Sequence, residues 1–81
     1  MKRILYALYD TKTNDCIAWK CDRETIAIFA LSYHHEMGGD CELSIVRLAD
    51  EYDDNDEREF ITMNTWKTMN WATKVLSTID E

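Results

Sequence analysis

The spacing of apolar residues changes several times along this chain, and each change marks the boundary of an element. In KRILYALY, residues 2–9, Ile4, Tyr6 and Leu8 point one way and Leu5, Ala7 and Tyr9 the other. Both sets are apolar, which predicts a strand buried on two faces, placed inside a sheet rather than at its edge. The polar stretch DTKTND, residues 10–15, leads into CIAWK, residues 16–20, a second strand with Ile17 and Trp19 on one face. Two strands joined by a short polar loop predict an antiparallel hairpin.

From Asp22 the period becomes helical. Ile26, Phe29, Ala30, Tyr33 and Met37 follow one face of a helix predicted over 23–37. Asp22 is its N-cap, Cys21 and Ile26 stand at the two positions of a hydrophobic staple, and Gly38-Gly39 supplies the left-handed stop. This stretch is the best specified in the chain. Residues 41–49 then alternate, Leu43 and Ile45 against Glu42 and Ser44, which predicts a third strand with one wetter face near its start. After a charged stretch, FITM at 60–63 is β-prone and reads as a short fourth strand. Asn64 caps a last helix predicted over 65–78, with Trp66, Met69, Ala72, Leu76 and Ile79 as its apolar stripe.

The order is β-β-α-β-(β)-α. It predicts an α+β fold, a small antiparallel sheet of three or four strands with two helices packed on one face, and a single domain over 1–81. The longest apolar run, residues 26–31, is far too short to span a bilayer, and the N-terminus lacks the apolar core of a signal peptide. The three cysteines cannot all pair with one another, which points to free thiols in a reducing cytoplasm.

Candidate chemistry is sparse. Cys16, Cys21, His34, His35 and Cys41 are of the right types for zinc, but no tight C-x-x-C occurs, and small buried thiols near a helix end account for them better. Cys21 precedes a helix N-terminus, where a thiolate is stabilised, yet a straight helix puts it about 20 Å from His34. No glycine-rich phosphate loop, G-x-S-x-G or H-E-x-x-H is present, so no enzyme and no cofactor are expected. Tyr6, Tyr9 and Trp19 could stack bases, but stacking platforms come with a basic groove, and core packing explains them better. Trp66 and Trp71, five apart on the last helix, fall on different faces; Trp71 is taken as the exposed anchor for a protein partner.

Charge changes the picture. The net charge is −7; residues 1–49 hold six Lys/Arg and seven Asp/Glu, while 50–81 hold three and nine. DEYDDNDERE, residues 50–59, concentrates this acidity in Asp50, Glu51, Asp53, Asp54, Asp56, Glu57 and Glu59, around Tyr52. A charge run usually does no more than face water. There is also a sharper possibility. An extended chain advances about 3.3 Å per residue and a DNA strand carries a phosphate about every 3.4 Å, so this run matches a nucleic-acid backbone in linear charge. It would then occupy a basic groove on a larger protein, with no direct contact to nucleic acid or membrane.

The opening MKRILYALYD strand, the polar turn, the helix beginning DRETIAIFAL and the acidic second half resemble the small acidic single-domain accessory proteins of phages and mobile elements, anti-CRISPR proteins among them. The resemblance implies a non-catalytic protein-binding inhibitor that blocks a nucleic-acid-binding site on a host or defence protein, in the cytoplasm of a bacterial host. It carries no residue roles. The alternative is a self-associating module, such as a homodimer, that sequesters a small ligand or serves as a structural accessory protein.

Overall fold

A strand with apolar residues on both sides must find cover on both, and the first strand does so from an inside position. The computed structural model describes residues 4–48 and 59–79. In it β1 (Leu5–Asp10), β2 (Asp15–Cys21), β3 (Leu43–Leu48) and β4 (Glu59–Thr62) form one antiparallel sheet in the order β2-β1-β3-β4. Helices α1 (Arg23–Glu36) and α2 (Thr65–Ile79) complete an α+β fold whose element order is the expected one. Leu8 pairs with Ile45 and Ala7 with Val46, so β1 and β3 share both faces. Leu8, Leu43 and Ile45 meet Ile26, Ala27 and Ala30 of α1 and Ala72 and Val75 of α2, which places both helices on one side. Ala7, Val46 and Leu48 form a smaller buried cluster on the other side, with Tyr9 packed against it.

The ends of α1 follow their signals. Asp22 accepts from the Thr25 N–H at 2.8 Å, and Cys21 and Ile26 pack in the same cluster. At the other end the N–H of Gly38 reaches the His35 carbonyl and that of Gly39 reaches the His34 carbonyl. That bond pair requires left-handed backbone, and both glycines have positive φ (61° and 84°).

The buried stripe of α1 is not the expected one. Ile26 and Ala30 face inward as read, but Phe29 is 44% exposed and Met37 41%, and Ala27 takes the inner position instead. Small residues let the helix axis approach the sheet and α2 closely, and bulk turned outward is tolerated there. The stripe of α2 is likewise rotated. Thr68, Ala72 and Val75 are buried, Met69 and Leu76 are half-buried, and Trp66 is 73% exposed.

Two strand details differ as well. Ser44, expected on a wetter face, is fully buried; it pairs with Tyr9, which packs against the buried cluster of Ala7, Val46 and Leu48. Ile17 and Trp19 do not share an environment: the β1–β2 register shifts on either side of Leu8, Ile17 packs on the helix-side core, and Trp19 is exposed. The short β4 is extended by side chains. The Ile45 N–H donates to Thr62 Oγ1 at 3.0 Å, the Leu43 N–H donates to Thr65 Oγ1 at 3.0 Å, and Thr68 Oγ1 donates to the Leu43 carbonyl at 3.0 Å. Three hydroxyls thus satisfy buried strand groups where β4 has ended. No helix among the described residues is long and apolar enough to cross a membrane.

Candidate functional site

The most connected polar residue is Asp10, the last of β1. It is fully buried, and its carboxylate accepts from the Lys12 N–H (3.0 Å), the Glu42 N–H (3.1 Å) and the Tyr33 hydroxyl (2.9 Å). Burial pushes this carboxyl up, but those donors and the Lys12 charge outweigh it and hold the carboxyl below the usual carboxylate range. Tyr33 responds in the opposite sense, pushed up to about 12 by its bond to Asp10, then by burial and the Asp10 charge. Lys12 is held by an ion pair with Asp40, a bond that raises its pKa. One carboxylate therefore ties the β1–β2 turn, the end of α1 and the approach to β3 together. Every oxygen contact it makes is a structural one.

The thiols and histidines do not converge. Cys16 is exposed, Cys21 half-buried and Cys41 buried, and all three are free. Burial, followed by the charges of Asp10 and Asp40, pushes the Cys41 thiol up, which is unfavourable for a thiolate nucleophile. His34 packs over Gly39, next to the turn. Among the described residues, no group of three His, Cys, Asp or Glu is placed to hold a metal ion.

Of the acidic candidates, Asp50, Glu51, Asp53, Asp54, Asp56 and Glu57, with Tyr52, lie outside the described residues. Glu59 opens β4 and pairs with Arg47, which in turn pairs with Tyr6. The Trp71 ring stands 5.5 Å from that of Tyr6, tilted by 57°. Trp71 therefore lies alongside the cross-strand row Tyr6–Arg47–Glu59, at the end of the sheet where residues 49–58 connect β3 to β4. It is half-buried there, against the core. Of the two tryptophans of α2 the exposed one is Trp66, at the start of the helix and at the opposite end of β4, close in sequence to Met63, which is 66% exposed. The staple position opposite Met63 is Thr68, a polar residue engaged with β3, so no packing demand accounts for Met63.

The helix-free face of the sheet carries a cleft of about 220 Å³, lined by Tyr9, Thr11, Asn14 and Phe60. Sequence reading missed it, because its walls come from two stretches far apart in sequence, residues 9–14 and Phe60, and meet only through register. Phe60 pairs with Val46, which sets its ring on the side of Ala7 and Val46 and leaves it 47% exposed. Glu42 stands beside the cleft, its Oε2 at 3.5 Å from Thr11 Oγ1.

Comparison of the chain with protein-family models, with curated proteins and with solved structures finds no match.

Proposed function

We propose that this chain is a non-catalytic protein-binding inhibitor that uses its acidic connection to block a basic, nucleic-acid-binding groove on a larger protein. The observation that carries the reading is a length. Arg47 and Glu59 are paired neighbours on adjacent antiparallel strands, and such strands need only about two to five residues to join them. Ten residues, 49–58, stand between β3 and β4, six of them acidic. Nothing in the sheet requires that length or that charge. The site in this reading comprises Asp50, Glu51, Asp53, Asp54, Asp56, Glu57 and Glu59, with Tyr52 and Trp71 beside them. A phage or mobile-element source and action in a bacterial cytoplasm belong to the same reading.

The test is a competition. A partner captured by the parent chain is measured for binding to that chain and to nucleic acid, over a range of salt. Association with the parent slows steeply as salt rises, since exposed charges are screened over about 8–10 Å. Changing Asp53, Asp54 and Asp56 to Asn slows it further, and nucleic acid displaces the chain. A partner that holds both at once overturns the proposal.

A second reading, self-association, is favoured by one observation: Ile28, 53% exposed, and Phe29 present apolar surface on the outer side of α1. If α1 is a self-association face, the parent sediments as a dimer and Ile28→Glu as a monomer.

A further inference from the structure

We propose that the cleft between Tyr9 and Phe60 receives one arginine side chain from the partner's basic surface. This rests on the reading above, that the partner presents such a surface, and adds to it a defined contact on the described part of the molecule.

The argument begins with register. Tyr9 is opposite Ser44 and Asp10 opposite Leu43, and the Thr11 N–H donates to the Glu42 carbonyl at 2.7 Å, which extends the ladder by one more pair. Side chains alternate along a strand, so Thr11 and Glu42 fall on the same face as Tyr9 and Ser44. Phe60 on β4 shares that face through its pairing with Val46. Two aromatic rings, a hydroxyl, a carboxamide and a carboxylate are thereby gathered on the helix-free side.

The chemistry of that set selects a cation. Aromatic faces carry partial negative charge and attract a guanidinium laid over them. The flat fork of N–H donors then meets acceptors: the Glu42 carboxylate, Thr11 Oγ1 and the Asn14 amide oxygen. Glu42 forms no ion pair among the described residues, since the nearby ammonium, that of Lys12, is bound to Asp40. The charges of Asp10, Asp40 and Glu42 all act on Lys12, so this end of the molecule stays net negative. A phosphate would be repelled from it, and a purely apolar group would cover the Asn14 amide and the Glu42 carboxylate without offering either a partner, whereas Thr11 Oγ1 already donates to the Glu42 carbonyl at 3.1 Å. The size also suits one side chain, because drug-sized ligands usually take pockets of about 300–1,000 Å³ and this cleft holds about 220 Å³.

The probe is N-acetyl-arginine amide, titrated into the isotope-labelled full chain and followed by amide chemical shifts. Saturable shifts at Tyr9, Thr11, Asn14, Glu42 and Phe60 are expected. The neutral citrulline analogue should bind about tenfold more weakly or worse, the loss typical of one charge-assisted contact. Glu42→Gln and Phe60→Leu should each weaken arginine by a similar factor. Both positions are exposed, so both variants keep the fold, and Phe60→Leu retains apolar bulk while removing the ring. Equal binding of arginine and citrulline overturns the proposal. So do shifts confined to residues 50–57 that vanish when Asp53, Asp54 and Asp56 become Asn; that result leaves the acidic-connection reading standing. Arginine seated at the cleft, with a partner that nucleic acid fails to displace, supports the cleft and overturns only the blocking of a nucleic-acid site.

Discussion

The two faces of this sheet are built from the same strands and solve different problems. On the helix side, Leu8, Leu43 and Ile45 close against Ile26, Ala27, Ala30, Ala72 and Val75, and every one of these is buried. On the other side Ala7, Val46 and Leu48 form a smaller sealed cluster, with Tyr9 against them, and Phe60 stands half in solvent. The first face uses medium and small side chains in close contact, which is where folding stability comes from. The second keeps aromatic rings within reach of water and of a carboxylate, a composition suited to recognition. Neighbouring residues in one strand thus meet two different environments, divided by the pleat.

The largest expected effect tests the helix side. Ile45→Ala removes buried methyl groups from a packed layer and should cost about 2–5 kcal/mol. That is much of the stability of a domain this size, roughly 0.05–0.15 kcal/mol per residue. Urea unfolding measures it. A loss under about 1 kcal/mol would show that the helix side is not the core.

Asp10 stands at the end of the sheet where the two faces meet, and its removal should be the next largest effect. Asp10→Ala strands two backbone N–H groups and the Tyr33 hydroxyl at a fully buried position. Each orphaned donor costs about 1–3 kcal/mol, partly relieved by water, so a total near 3 kcal/mol is expected.

The same network sets the pH range. Asp10 is held below the usual carboxylate pKa, so its contribution is present above about pH 4 and is lost as pH falls through the lowered value. Tyr33 is raised from 10.0 to about 12, so its contribution is complete below 10 and is lost as pH rises toward 12. Tyr33→Phe should remove the alkaline part of the profile and leave the carboxylate with two donors. If parent and variant lose stability in parallel between pH 10 and 12, the Tyr33–Asp10 bond is not what titrates.

Much of this architecture was legible. The six elements and their order follow from period changes, from Asp22 and Asn64 as caps and from Gly38-Gly39 as a stop. Asn64 does accept from the Lys67 N–H at 2.8 Å. What periodicity could not give was which side of α1 faces in. Hydrophobicity favours Phe29 over Ala27, whereas close helix packing favours the smaller residue. Thr62 and Thr68 read as polar and are buried, because hydroxyls can complete a ladder that β4 leaves short. Asp10 read as an ordinary turn residue. Its bond to the N–H two residues on is a local signal, but Tyr33 and Glu42 reach it only through the fold. The cleft depends on residues 9–14 meeting Phe60 across β3, which no local pattern announces.

The smallest expected effect is the one that tests the helix-free face. A fully buried Phe changed to Ala costs about 3–5 kcal/mol. Phe60 is 47% exposed and Phe29 44%, so each truncation forfeits only part of that burial, about 1–2 kcal/mol. The two should therefore resemble each other in melting temperature and differ in function. Phe60→Ala removes a wall of the cleft and should abolish arginine-amide binding, while Phe29→Ala, on the outer side of α1, should leave it unchanged. Measuring both properties on both variants separates packing from recognition. If Phe60→Ala is as destabilising as Ile45→Ala, the ring belongs to a second core and the helix-free face is not a surface for recognition. If it is mild in stability and silent in binding, the fold account stands and the cleft has no arginine to receive.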